Sequence, residues 1–252
     1  MGYFIEDFIE ETNAAQTRDE AFLCYQKALK RLGFDSAVYT FVTDHLEAGQ
    51  RAGHGVQCNY PGDWMAYYQE KGYQAIDPVI LRVKETEDAF RWQDLAAAGA
   101  LTKQQDCILH EAQDAGLHGG VGIPLYGPRG ELAGVGLASS LKDAVPDKTT
   151  LSKLHLLTVQ FHQVYCSLSA QETGNAGKNA HEPLTPRETE IMQWCSIGKT
   201  VPEIALILNC RENTVRWHIK QVYTKLQANT QTLAVTKAIR LGYVTLDLIR
   251  VV

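Results

Sequence analysis

The sequence predicts an α+β chain in two domains. An N-terminal α/β/α sandwich with an antiparallel sheet is expected over residues 1–168, and a small all-α domain over 184–252. Three observations lead there. Helix and strand signals mix in the first part, only helical signals occur in the last part, and the stretch between them, 169–183, has no large apolar residue. That stretch is rich in small and polar residues and reads as a flexible linker.

The N-terminal elements follow in order. Thr17 and Glu20 have the spacing of a capping box, in which the Thr side chain accepts a backbone N–H and the Glu reaches back. Ala21, Phe22, Tyr25, Ala28, Leu29 and Leu32 then recur at helical spacing, and Gly33 ends the helix. Ala37 to Val42 reads as a strand. Val121 to Tyr126 and Leu132 to Ser139 read as two more, joined by the turn Gly127-Pro128-Arg129-Gly130. From Asp147 to Leu168, apolar residues every three to four positions mark a long amphipathic helix, which suits an intrachain core helix or a dimer seam equally. Strands with helices before and after them give the sandwich.

In the C-terminal part, Thr185 and Glu188 form a second capping box with Pro186 at the first helical position, and Gly198 closes that helix. Thr200 and Glu203 repeat the arrangement and open a helix to Leu208, stopped by Asn209. Further helices are expected over Arg211 to Leu226 and Thr230 to Leu241. Two short helices with a tight turn between them read as a helix-turn-helix. On the second, Val215, Ile219, Val222 and Leu226 share one face, while Asn213, Arg216, Trp217, Lys220 and Thr224 share the opposite one. The first set suits packing. The second suits a major groove, where Arg, Lys and Asn donate to base edges or phosphates, though a solvated charged face would show the same spacing.

Charge agrees with that division. Residues 1–168 hold 14 Lys and Arg against 22 Asp and Glu, a net of −8, whereas residues 184–252 hold 9 against 5, a net of +4. A basic tail domain suits a polyanion. Of the 252 residues 45% are hydrophobic and 21% charged, enough to bury a core and unlike a disordered chain. No apolar stretch approaches the roughly 18 residues of a membrane span, and the N-terminus lacks the layout of a signal peptide, so a cytoplasmic location without membrane association is expected. The six cysteines, Cys24, Cys58, Cys107, Cys166, Cys195 and Cys210, have no metal-like spacing, and no metal or cofactor is expected.

Leu184-Thr185-Pro186-Arg187-Glu188, Gly198-Lys199-Thr200, Glu203-Ile204-Ala205, Thr214-Val215, His218 and Lys225-Leu226 together resemble the GerE/LuxR-type helix-turn-helix over about residues 184–241. The resemblance implies that Lys199, Thr200, Arg211, Asn213, Thr214, Arg216, Trp217 and Lys220 meet DNA. Three positions depart from the family pattern. Met192 replaces the usual Leu, Arg211 a Ser that would cap the recognition helix, and Thr230 a common Arg.

The N-terminal part contains Tyr60, Trp64, Tyr68, Asp77-Pro78, Trp92 and Gly120. Trp64 and Tyr68, four apart, are neighbours on one helical face. These residues offer an apolar, aromatic lining with an indole N–H, phenol hydroxyls and a carboxylate, which fits an amphiphile carrying an amide and a carbonyl. An aromatic set of this kind also occurs as plain core, but a carboxylate among aromatics requires a donor. Order and spacing resemble the autoinducer-binding domain of LuxR-type quorum-sensing regulators over about residues 15–165.

The resemblance implies that N-acyl-homoserine lactone binds between the sheet and one helix layer. Trp64 would donate to the lactone carbonyl, Asp77 accept from the amide N–H, and Tyr60 donate to the amide carbonyl. Tyr68 and Trp92 would wall the pocket, with Val79, Leu117 and Gly136 lining it, and Gly120 would be a position where no side chain fits. Without ligand, Asp77 would lack its donor and the fold would be poorly stable. Gly136 replaces a Ser or Thr that helps bind the amide or 3-oxo group in relatives, which weighs against 3-oxo ligands. Gly134 and Gly136 either leave room for a bulkier chain or accommodate a nearby helix.

The function expected is a quorum-sensing transcriptional regulator, homodimeric on inverted-repeat promoter DNA. RNA polymerase would be a partner if the chain activates transcription. The alternatives are an orphan regulator of the same fold that is independent of ligand or answers another molecule, and a repressor released by ligand. A hydrolase pairing Asp77 with His118 or His110 lacks a nucleophile elbow, metal cluster or reactive cysteine. A protein-interaction adaptor would keep its function in Arg216→Ala and Lys220→Ala.

Overall fold

The computed structural model describes residues 2–45, 48–99, 101–141, 145–172, 174 and 182–245. The chain divides into two compact units near residue 176.

The first unit is an α/β/α sandwich. Helices α1 (Gly2–Ala14) and α2 (Arg18–Lys30) precede strands β1 (Ser36–Phe41) and β2 (Gly53–Cys58). Helices α3 (Gly62–Glu70), α4 (Pro78–Val83), α5 (Leu95–Ala98) and α6 (Lys103–Asp114) follow, with the short strand β3 (Phe90–Arg91) among them. Strands β4 (Gly119–Tyr126) and β5 (Leu132–Ser139) form a hairpin, and α7 (Lys148–Glu172) closes the unit. The sheet order is β2-β1-β5-β4-β3 and every pairing is antiparallel.

One sheet face carries the main core. Tyr39, Phe41, Val121, Ile123, Val135 and Leu137 meet Tyr25, Leu29, Leu154, Phe161 and Tyr165 of α2 and α7. Tyr25 stacks on Phe161 with ring centroids 4.6 Å apart, and its hydroxyl lies 2.6 Å from Thr158 Oγ1. A buried phenol therefore keeps its polar end satisfied. The other face meets α3, α4 and α6 and holds a smaller cluster around Trp64, Tyr68, Ile108 and Leu117.

Two expectations shift. Thr17 does cap α2, accepting from Glu20 N at 3.2 Å, but Glu20 reaches the backbone N–H of Gln16 rather than that of Thr17. The last helix of the unit also runs past Leu168. Ser169 is buried, donates to Ala48 O at 2.9 Å and accepts from Gln50 Nε2 at 2.7 Å. Residues 169–172 thus belong to α7 rather than to the linker, and most of the expected linker, 173 and 175–181, lies outside the described residues.

The second unit is all-helical: α8 (Pro186–Ser196), α9 (Val201–Ile207), α10 (Glu212–Lys225) and α11 (Gln231–Arg240). Ile191, Met192, Ile204, Val215, Ile219, Val222, Leu226, Ala234 and Ala238 form its core. Gly198 and Asn209 end their helices as the sequence predicts, and Gly242 follows the last one. Gly198, Asn209 and Gly242 sit at φ +83°, +46° and +73°, the left-handed conformation that turns a chain out of a helix. Among the described residues, no helix is long and apolar enough to cross a membrane.

Candidate functional site

A cavity of ≈ 650 Å³, its mouth included, lies between the second sheet face and α3, α4 and α6. All eight residues expected there, Tyr60, Trp64, Tyr68, Asp77, Val79, Trp92, Leu117 and Gly136, line it. Its walls are otherwise mostly aliphatic, as a site for an amphiphile requires.

Local sequence explains the placement. Trp64 and Tyr68 stand one turn apart on α3, and their rings meet edge-on at 5.9 Å. Pro78 at the first position of α4 fixes the helix start, and Asp77 caps it. Asp77 Oδ1 accepts from Val79 N at 2.7 Å, and Oδ2 accepts from the Tyr68 hydroxyl at 2.6 Å. This corrects the expectation that the carboxylate lacks a donor without ligand. Burial pushes the Asp77 pKa above the usual carboxylate value, against the opposing pull of Tyr68 and the backbone N–H groups. Burial also raises the Tyr68 hydroxyl, with the Asp77 charge beside it adding to the effect.

Two other lining groups are left open. The hydroxyl of Tyr60 and the indole N–H of Trp92 are buried with no hydrogen-bond partner among the described residues. Buried donors without acceptors are costly, so these are the polar handles of the cavity. Trp92 lies flat over Gly120, where any Cβ would collide with the indole, as the sequence reading of that glycine requires.

The expected room at Gly134 and Gly136 is already occupied. A Cβ at Gly134 would come within 3.0 Å of Val83 on α4. One at Gly136 would meet Val38 at 3.0 Å and the Tyr60 hydroxyl at 3.1 Å. At Gly134 the strand accommodates a helix, and at Gly136 it accommodates the phenol.

Sequence reasoning missed Thr40 of β1 and His54 of β2, which line the cavity and contact each other at 3.0 Å. It also missed the α6 wall of Ile108, Leu109 and Ala112. The imagined hydrolytic partners of Asp77 lie elsewhere. His110 is exposed on α6 beside Asp106, and His118 lines a separate pocket. Among the described residues, no group of three His, Cys, Asp or Glu is placed to hold a metal ion.

In the second unit, Val215, Ile219, Val222 and Leu226 are buried, whereas Asn213, Thr214, Arg216, Trp217 and Lys220 are exposed along α10. Trp217 is 56% exposed, unusual for an indole without a partner surface. Arg211 starts α10 with no side-chain cap, leaving its guanidinium exposed at the helix entry. Thr200 is exposed, and Lys199 pairs with Glu203 at 3.2 Å. Glu188 completes its capping box by accepting from Thr185 N at 2.7 Å. It also accepts from Lys225 Nζ at 3.0 Å, tying α8 to the end of α10. That second contact joins distant parts of the sequence and leaves no local signal.

The two units match two family descriptions. Residues 17–165 match the autoinducer binding domain, and residues 182–238 match the bacterial regulatory proteins of the luxR family. This chain belongs to the LuxR family of autoinducer-binding transcriptional regulators. The family consists of transcription regulators rather than enzymes. A protein of Sinorhizobium fredii described as an HTH-type transcriptional regulator, y4qH, is 33% identical over 80% of this chain, and the match spans 62% of that relative's length. The quorum-sensing regulator RhlR of Pseudomonas aeruginosa is 30% identical over 88% of this chain and 89% of its own. The crystal structure of Escherichia coli SdiA shares the fold, with TM-score 0.71, 24% identity, and coverage of 94% of this LuxR-family chain and 96% of SdiA.

Proposed function

We propose that this LuxR-family chain is a cytoplasmic quorum-sensing regulator that binds an N-acyl-homoserine lactone in the sandwich cavity and, as a homodimer, binds inverted-repeat promoter DNA. The observation that carries the ligand reading is the buried Tyr60 hydroxyl, without a partner among the described residues, on the same lining as the Asp77 carboxylate. An acyl-homoserine lactone offers the complement: carbonyl acceptors, one amide N–H and an apolar tail. Asp77 keeps lone pairs beyond the two donors it already holds, so it remains an acceptor for that N–H. Tyr60 and Trp64 donate to the ligand carbonyls, Tyr68 and Trp92 wall the head group, and Val79, Leu117 and Gly136 complete the lining.

For DNA, α10 lies in the major groove with Asn213, Thr214, Arg216, Trp217 and Lys220 toward the bases, while Lys199, Thr200 and Arg211 meet phosphates. One such helix covers a half-site, and a twofold pair reads both halves. The outer face of α7, where Leu156 is 58% exposed, and α11 supply dimer contacts. RNA polymerase becomes a partner if the regulator activates.

Thermal unfolding against lactones of varied chain length and 3-position oxidation tests the ligand reading. Selective stabilisation, lost in Asp77→Ala and Trp64→Phe, is expected. Arg216→Ala and Lys220→Ala should each weaken operator binding by about 1–3 kcal/mol in a titration at fixed salt. The internal donors on Asp77 favour a second reading, a regulator whose fold is complete without ligand. Equal unfolding midpoints with and without every lactone, from a protein that binds its operator alone, would select that reading.

A further inference from the structure

Two helical walls of the cavity are joined across their outer side by one carboxylate. Glu111 lies on α6 between Ile108 and Ala112, which line the cavity. Its Oε2 accepts from the Tyr73 hydroxyl at 2.7 Å. Its Oε1 accepts from the Tyr67 hydroxyl at 3.3 Å and from Cys107 Sγ at 3.4 Å. Tyr67 is on α3, and Tyr73 opens the short 3-10 turn Tyr73–Ala75 that follows it. These two phenols are the outer layer of an aromatic block whose inner members, Trp64 and Tyr68, face the cavity. Tyr73 meets Tyr68 edge-on at 5.8 Å, and Tyr67 and Tyr73 lie 6.2 Å and 6.5 Å from Trp64. Glu111 therefore ties α6 to the back of the block that walls the site.

This seam is the one that side chains alone hold shut. Trp64, Tyr68, Asp77 and Leu117 are buried, so a ligand reaches them as walls part. The sheet wall parts only by breaking a ladder of backbone hydrogen bonds. Helices α3 and α4 are linked by residues 71–77 and by the Tyr68–Asp77 bond. Between α3 and α6, by contrast, lie residues 71–102. Among the described residues, the hydrogen bonds across the α3–α6 seam are those of Tyr67 and Tyr73 to Glu111. A hydroxyl on a carboxylate is a charge-assisted bond, stronger than a neutral one. The bond to Glu111 also holds the Tyr73 pKa above the ordinary phenol value, so the donor keeps its proton at neutral pH.

We propose that Tyr67, Tyr73 and Glu111 form a clasp on the α3–α6 seam that sets how fast ligand enters and leaves the cavity. The gating role rests on the lactone reading above, whereas the clasp itself does not. The clasp bonds lie outside the lining, so they close over a filled cavity as they do over an empty one. Breaking them speeds association and dissociation by the same factor and leaves affinity nearly unchanged.

The test follows the tryptophan fluorescence of the full chain in stopped flow with hexanoyl- and octanoyl-homoserine lactone. Glu111→Ala should raise both rate constants about tenfold or more, Tyr73→Phe about three- to tenfold, and Tyr67→Phe, whose bond is longer and exposed, about twofold, with Kd held within about threefold. Hydrogen exchange on the ligand-free chain supplies a readout that needs no lactone. In Glu111→Ala, residues 62–75 and 103–114 should exchange faster while the β4–β5 hairpin keeps its wild-type protection. A general loss of stability would speed the hairpin as well. Tyr73→Phe keeps the ring and carries both measurements if Glu111→Ala fails to fold. Unchanged lactone rates overturn the gating role. Faster dissociation at constant association also overturns it, because the triad would then shape the bound site. Unchanged exchange at the seam overturns the clasp whether or not lactones bind. Failure of every lactone to bind, with seam exchange raised in the variants, overturns the lactone reading and the gating role and leaves the clasp.

Discussion

Asp77 places one carboxylate in two structures at once. It caps α4 through Val79 N and holds Tyr68, while its charge sits in a nearly closed aromatic site. Because burial raises its folded pKa above that of the unfolded chain, the stability it contributes is full below the unfolded value and is lost as pH rises through the folded one. At neutral pH the charged form is therefore a cost. Asn at this position can accept from Val79 N through Oδ1 and donate to the Tyr68 oxygen through Nδ2. Asp77→Asn should leave the ligand-free unfolding midpoint at pH 7 unchanged or higher. Lactone affinity should fall about ten- to hundredfold with the loss of the charged acceptor. A large drop in the ligand-free midpoint would mean that the charge itself holds the site together. Gly120→Ala acts on the same wall from the other side. Its Cβ meets the Trp92 ring, so overpacking should cost about 1–3 kcal/mol in denaturant unfolding and weaken ligand binding as the indole moves.

At the scale of elements, what the sequence made legible was what is encoded locally. The capped helices of the C-terminal unit, the β4–β5 hairpin and α7 announce themselves through caps, turn residues and periodicity. Strand β2 does not: Gly53-His54-Gly55-Val56-Gln57-Cys58 has two glycines and no apolar alternation, and its strand form comes from pairing with β1. Strand β3 is two residues long, and the apolar face of α6 is only Ile108, Leu109 and Ala112. Since β2 and α6 both wall the cavity, His54 and the α6 residues escaped a reading that found the aromatic set, and Thr40, on a strand that was legible, shows its cavity side only once β2 is paired beside it.

The Glu188–Lys225 pair is non-local in the same way and sets the packing of α8 against α10. Both side chains are largely buried, at 4% and 11% exposure. Desolvation works to raise the Glu188 pKa, but the Thr185 and Lys225 bonds outweigh it and the net shift is downward. Lys225→Met strands a buried anion and should destabilise the C-terminal unit by about 3 kcal/mol. Glu188→Gln keeps an acceptor for Thr185 N and leaves Lys225 with Glu182 and the Pro183 carbonyl. It should cost about 1 kcal/mol. Urea unfolding of the full chain followed by circular dichroism orders the two, and equal costs would refute the charge argument.

For the molecule as a whole, acid acts on the sandwich through its buried histidines. Burial lowers the pKa of His54 and His162 to about 4, and that of His45 is lowered as well. His162 Nδ1 faces the Tyr39 hydroxyl at 2.6 Å and Cys166 Sγ at 3.7 Å, with the His45 ring 5.7 Å away and Asp44 and Glu131 acting on His45. These folded values lie below the unfolded one. The stability they confer is therefore present above pH 6.5 and is lost as pH falls toward 4. For His54 and His162 the loss at pH 5 is at most about 2 kcal/mol each, several degrees in the unfolding midpoint. Asp77 works the other way, since protonating it removes a buried charge. A fall in midpoint between pH 7 and pH 5 therefore belongs to the histidines. His162→Asn, which keeps an acceptor for Tyr39, should flatten that fall. Ligand separates the two histidines. A bound lactone adds a fixed increment wherever its affinity is constant, but His54 lines the cavity and His162 does not. The increment should shrink from pH 7 to pH 5 in wild type and in His162→Asn alike, and shrink less in His54→Phe, where Asp77 still titrates beside the ligand. If it shrinks equally in all three, protonation is acting on ligand binding through a group other than His54.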